Sequence, residues 1–160
     1  MQFREANANE IQNILEEGYK EWPKGRTLEK YIEDNKSEDA YGTRFVLSEG
    51  SDIMCSLIQL ELKPIKNYKV YGFGSILTSA RNRNKGFAKK LILLCLGMMN
   101  EEDIVFLYSD IDPHFYEKLG FVKLPRTLQH TEKSICMVKC KVETLAELLR
   151  LPLESIPSYF

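Results

Sequence analysis

The sequence predicts a mixed α/β fold built on one central sheet, and three observations carry that expectation. Val70 to Thr78 reads as an apolar strand that runs through a short basic turn into a helix with a single apolar stripe. Ile104 to Tyr108 is a short apolar run typical of a buried parallel strand, and a short capped helix follows it. Arg44 to Ser48 and Ile53 to Leu62 flank the turn Glu49-Gly50-Ser51-Asp52, the pattern of an antiparallel hairpin. Helices that link successive strands make those strands parallel, so the sheet is mixed.

Each element has its own local reason. Met1 to Ala6 is a candidate first strand. Asn7 or Asn9 caps a helix whose apolar positions are Ile11, Ile14, Leu15 and Tyr19. Trp22-Pro23-Lys24-Gly25 breaks that helix, and Thr27 opens a second through Leu28, Tyr31 and Ile32. After the hairpin, Lys63 to Lys69 reads as a loop because it holds Pro64 and Asn67. In the next strand Gly72 and Gly74 fall on one face, which marks a bulge or the close approach of a ligand. Ala88, Leu91, Ile92, Cys95, Met98 and Met99 extend the following helix to about Asn100. Asp112 caps the short helix with Pro113 at its first position, and Gly120 stands just past its end. A last strand spans about Lys133 to Val142. Glu143 to Leu151 then reads as a helix, with Leu145, Leu148 and Leu149 on one side and Pro152 as its stop.

The 160 residues suffice for one domain, here residues 1–142 with residues 143–160 as a C-terminal helical extension of the same domain. That extension could serve as a lid, a homodimer contact or the stub of a second domain. Hydrophobic residues make up 44% and charged ones 28%, the composition of a globular protein. Lys and Arg number 22 against 23 Asp and Glu, a formal charge of −1, which argues against nucleic acid as a partner. No apolar run approaches the ~20 residues of a membrane span, and the first residues do not resemble a secretion signal, so a cytoplasmic location is expected. Cys55, Cys95, Cys136 and Cys140 lack C-x-x-C spacing and only two His are present, so no metal site is expected.

Chemistry concentrates in Arg83-Asn84-Lys85-Gly86-Phe87-Ala88. A helix start offers unpartnered N–H groups and the positive end of the dipole, Gly86 allows close approach, and Arg83 and Lys85 add charge. The turn reads as a diphosphate cradle. No Walker string G-x-x-x-x-G-K-[ST] occurs, and Gly72-Phe73-Gly74 lies inside a strand, which excludes a dinucleotide fingerprint. Arg83, Gly86 and Ala88 instead form R-x-x-G-x-A, which resembles the acetyl-CoA signature [QR]-x-x-G-x-[GA] of the GNAT acetyltransferase superfamily. Phe115-Tyr116-Glu117-Lys118-Leu119-Gly120-Phe121 resembles that superfamily's closing element [FL]-Y-x-x-[LF]-G-F. The two motifs stand in the order and at the separation of that superfamily.

The resemblance implies a mostly antiparallel central sheet flanked by helices on both faces. It also implies an N-acetyltransferase moving an acetyl group from acetyl-CoA to a primary amine of a small molecule or peptide. By it, the backbone of Ile76, Leu77 and Thr78 receives the pantetheine arm, and Arg83, Asn84, Lys85, Gly86, Phe87, Ala88 and Lys89 receive the phosphates. Tyr116 becomes the general acid for the departing thiolate. Val70 to Thr78 contains no acid, so Glu61 is the first candidate base and Asp110 the second. Ser109 stands where an Asn often contacts the coenzyme, and Ala80 where a Pro is usual. The acceptor loop of that fold corresponds to Tyr19 to Arg26. There Trp22 could stack on a substrate, and Glu21, Glu61 and Asp110 could attract a cationic amine. A non-catalytic acyl-CoA-binding or sensor module is the alternative, and an interaction domain in which the basic turn only packs a helix is the third class.

Overall fold

The computed structural model describes residues 1–160. Its strands are β1 (Gln2–Glu5), β2 (Gly42–Glu49), β3 (Asp52–Ile65), β4 (Tyr68–Thr78), β5 (Ile104–Ser109), β6 (Val122–Lys123) and β7 (Ile135–Lys139). They form one sheet of order β1-β2-β3-β4-β5-β7-β6. The β1–β2, β2–β3, β5–β7 and β6–β7 ladders are antiparallel, and β4–β5 is parallel. The flanking helices are α1 (Ala8–Glu21), α2 (Leu28–Ser37), α3 (Phe87–Leu96), α4 (His114–Glu117) and α5 (Val142–Leu148). This is the mixed sheet that the sequence predicts, mostly antiparallel as the resemblance implies. The chain divides into two compact units, residues 1–60 with 75–96 and residues 61–74 with 97–160.

In the first unit Val46, Leu47, Leu57, Ile58 and Leu60 of β2 and β3 are buried, as are Leu91, Ile92 and Cys95 of α3. A register shift between Leu47 and Ser48 pairs them with Cys55 and Ile53 and leaves Met54 over, a bulge in β3. Asn7 is the N-cap of α1, and its N–H donates to Glu10 Oε2 at 2.7 Å. Thr27 caps α2, its hydroxyl oxygen accepting from the Lys30 N–H at 3.2 Å. Gly18 lets α1 and α2 approach, since a Cβ there would lie 2.5 Å from the Tyr31 hydroxyl. The stripe expected to run to Asn100 stops at Leu96. Gly97 breaks it, and Met98 is 48% exposed instead of buried.

Glu10 also accepts a forked pair of hydrogen bonds from the Arg4 guanidinium at 2.7 and 2.8 Å. Those bonds, with the Asn7 N–H, hold its carboxyl down at about 2. A folded-state value below the unfolded one contributes stability above the ordinary carboxylate range and loses it as pH falls toward 2. Unfolding free energy should therefore be level from neutral pH to about 5 and drop by about 1–2 kcal/mol below that through this pair, after allowing for solvent screening. Denaturant titrations of wild type and Glu10→Gln across pH check this: the difference between them should vanish near pH 2.

In the second unit β4 and β5 pair from Val70↔Ile104 to Phe73↔Leu107. Its core joins Ile65, Val70, Ile104, Phe106, Leu124, Leu128, Cys136, Val138, Leu148 and Ile156. The loop expected over 63–69 is a tight β3–β4 hairpin instead, turning at Lys66, whose φ is +51°. Pro64 misled the expectation. It is tolerated because the β2 ladder ends at Gly42↔Leu60, so β3 has an open edge beyond Leu60. Glu147 of α5 holds the turn, accepting from Lys66 Nζ and the Tyr68 hydroxyl at 2.8 Å each. The last strand is shorter than predicted, five residues from Ile135, and α5 ends at Leu148 rather than Leu151.

Residues 143–160 pack into this unit. Leu148 and Ile156 enter its core, and the Tyr108 hydroxyl donates to the Pro157 carbonyl at 2.6 Å. Phe160 sets its ring edge-on to Tyr108, with centroids 5.5 Å apart. A Cβ on Gly72 would lie 2.6 and 2.7 Å from that ring and 3.0 Å from Leu62 Cδ1. What comes close at Gly72 is a side chain of the same chain rather than a ligand. Gly72→Ala should therefore cost about 1–3 kcal/mol by overpacking. Adding Phe160→Ala should give a double variant less unstable than the sum of the singles, as a denaturant double-mutant cycle will show.

Candidate functional site

The β4–β5 ladder ends at Phe73↔Leu107, and two residues later Ser75 takes φ +47°. A non-glycine residue in that region inside a strand marks a kink held by its surroundings. Ile76, Leu77 and Thr78 follow, all half-buried. The Thr78 hydroxyl donates to Cys55 Sγ at 3.4 Å, and the Ser79 N–H reaches the Met54 carbonyl at 3.4 Å. Burial pushes the Cys55 thiol up to about 11, so it stays protonated and inert as a nucleophile near neutral pH.

The basic turn is built in two steps. A single 3-10 turn, Ala80–Asn82, buries Asn82, whose Nδ2 donates to Ser79 Oγ at 2.8 Å. Arg83 is extended, Asn84 has φ +61°, and Gly86 has φ +81°. The first helical bond of α3 then runs from the Lys90 N–H to the Gly86 carbonyl at 3.0 Å, so the N–H groups of Phe87, Ala88 and Lys89 precede it. Left-handed residues thus stand either side of Lys85, and turns that combine such residues are a common setting for anion binding. Space in front of Gly86 is open, since an added Cβ there meets no atom within 4 Å. Lys85 Nζ lies 3.4 Å from Asn82 Oδ1, and Lys89 is exposed. Arg83 pairs with Glu21 at the end of α1 and donates through Nε to the Thr78 carbonyl at 3.4 Å. Against the end of β4 lies a small, half-open pocket of about 80 Å³, lined by Asn13, Ile14 and Glu17 of α1 with Met54, Cys55 and Leu77.

In the second unit, Asp112 Oδ1 accepts from the His114 N–H at 3.0 Å and starts α4. The helix ends with Gly120 at φ +90°, and two bonds close it: Phe121 N–H to the Tyr116 carbonyl at 3.2 Å and Gly120 N–H to Glu117 at 3.0 Å. Tyr116 is 7% exposed, with Phe115 and Phe121 rings 5.0 and 6.2 Å away. Ser109 is buried and its hydroxyl donates to the Ile111 carbonyl at 2.8 Å. Asp110 accepts from Ser134 Oγ through one oxygen and from the Tyr159 hydroxyl at 3.5 Å through the other. Glu61 is exposed, on the stretch of β3 beyond the β2 ladder.

Sequence reasoning missed the Arg83–Glu21 pair, the kink at Ser75 and the Glu17 pocket. Asn84 carried a usable signal, because Asn tolerates left-handed backbone better than other non-glycine residues.

No sequence model of a protein family matches the chain, and no curated protein matches its sequence. Solved structures do match. A spermidine N-acetyltransferase chimera from Vibrio cholerae and hSSAT superposes with TM-score 0.65 at 17% identity, over 91% of this chain and 99% of that one. An aminoglycoside 6'-N-acetyltransferase complexed with coenzyme A gives 0.68 at 13%, over 87% and 96%. An acetyltransferase of the GNAT family from Staphylococcus aureus gives 0.62 at 14%, over 86% and 97%. The chain has the GNAT fold.

Proposed function

We propose that this GNAT-fold chain is an N-acetyltransferase that takes acetyl-CoA as co-substrate and acetylates a primary amine by direct attack. The observation that carries the reading is the start of α3. Left-handed Asn84 and Gly86, with the leading N–H groups of the helix, form an anion cradle with open space before it. A neighbouring fold solved with coenzyme A supports the same ligand class. In this reading Ile76, Leu77 and Thr78 offer backbone groups to the pantetheine amides, as a strand accepts another strand. Arg83 to Lys89 hold the diphosphate, and Ser109 takes the coenzyme-contacting role that the family resemblance gives its position.

The amine nitrogen attacks the thioester carbonyl carbon, the C–S bond breaks, and the sulfur takes a proton. Tyr116 donates that proton, and Glu61, directly or through water, accepts the one lost by the amine. Unpaired cysteines, three of them buried, suit the cytoplasmic location that we assign to the protein. A second reading, a non-catalytic acyl-CoA sensor, is favoured by one observation: Asp110, the alternative base, has both oxygens engaged by Ser134 and Tyr159. Isothermal titration with acetyl-CoA tests the shared part of the two readings. Thiol release over a panel of lysine, spermidine, an aminoglycoside and a peptide N-terminus separates them. Binding without turnover on any amine favours the sensor; no heat at millimolar acetyl-CoA rejects both.

A further inference from the structure

The arginine that opens the diphosphate turn is already committed to a carboxylate. Arg83 Nη2 pairs with Glu21, the last residue of α1. An acid at that position faces the negative end of the helix dipole, and neighbouring Lys20 pairs with Glu17 instead. Arg83 is therefore the group that neutralises Glu21.

Glu21 also leads into a segment that is tied to itself and to α2. The Arg26 guanidinium donates to the Trp22 carbonyl at 3.3 Å and the Pro23 carbonyl at 3.4 Å. It pairs with Asp34 at 3.0 Å and lies over the Tyr31 ring at 4.9 Å. The Tyr19 hydroxyl donates to the Arg26 carbonyl at 2.9 Å. Through Glu21, this body is hooked to the turn that begins at Arg83.

We propose that Glu21 is a positioning residue that couples coenzyme binding to the Trp22–Arg26 segment. It holds Arg83 until an incoming diphosphate displaces it, and its release moves the segment and bares a carboxylate for a cationic amine. The inference rests on the coenzyme reading above. Its chemistry is a competition between anions. Guanidinium prefers a bidentate phosphate, and an exposed carboxylate pair is weak enough to lose.

Trp22 is the only tryptophan, so its emission reports on the segment directly. Coenzyme A is titrated into wild type and Glu21→Gln by calorimetry and by fluorescence, with pantetheine as the probe that lacks the diphosphate. Glu21→Gln should bind coenzyme A about two- to fivefold more tightly at low salt, with the gap closing as salt screens the pair. Wild-type Trp22 emission should shift with coenzyme A and stay unchanged with pantetheine, and the free variant should already emit like the bound wild type. Equal affinities with equal Trp22 responses in both proteins, or a Trp22 shift that pantetheine reproduces, would overturn the coupling while coenzyme binding stands. Absence of coenzyme A binding to either protein would instead bring down the coenzyme reading, and the coupling with it.

Discussion

Gly86→Val is expected to weaken coenzyme A binding by roughly 100-fold or more while the protein stays folded. Gly86 sits at φ +81°, where a β-branched residue is strained, so the variant backbone will rotate away. Rotation withdraws amides from the cradle, and each hydrogen bond to a charged acceptor contributes about 1.5–3 kcal/mol. Two such bonds suffice for the stated loss. The fold survives because an added Cβ at Gly86 meets no atom within 4 Å, so there is no core to disrupt. Calorimetry gives the affinity and thermal melting the stability. Full affinity in Gly86→Val would show that the start of α3 does not bind the diphosphate. Asn84→Gly is the companion: it keeps the left-handed backbone and should keep most of the affinity.

Tyr116→Phe should lower kcat about 100-fold, the low end for a positioned general acid, with the KM for acetyl-CoA nearly unchanged. The ring packing against Phe115 and Phe121 and the backbone bonds that close α4 remain in the variant, and thermal melting checks that it stays folded. A control separates proton donation from general damage. With an aryl thioester, whose thiolate leaves without help, the deficit should shrink toward unity. Equal deficits on both thioesters, or wild-type turnover on acetyl-CoA, would remove Tyr116 from that role.

How much of this was legible follows from where the determinants lie in the chain. The cap at Asp112, the turn at Gly120 and the strand at 104–109 are local chemistry, and the structure has each within about a residue. The hairpin at Lys66 was not legible, because its anchor, Glu147, lies 81 residues away in sequence. Gly72 was ambiguous for the same reason: the atom that excludes a side chain there belongs to Phe160. The basic turn was readable as composition, yet its left-handed pair at 84 and 86 is a matter of dihedral angles that spacing does not encode. Glu21, expected to attract a cationic amine, is paired with Arg83 instead, a partner 62 residues away in sequence. Long-range partners and backbone dihedrals, rather than element types, account for what the sequence withheld.

The bond from Glu147 to the β3–β4 turn has a kinetic consequence. Lys66 and Tyr68 meet Glu147 across 81 and 79 residues of chain, and Val70 shares a core with Ile156. Closing loops of that size costs entropy before any contact rewards it, which slows the search for the native arrangement. During synthesis the hairpin emerges long before its anchor, so its apolar side waits uncovered while some eighty residues are added. That waiting surface is where chaperones would be expected to act on this protein, and where slow refolding and aggregation in the test tube should begin.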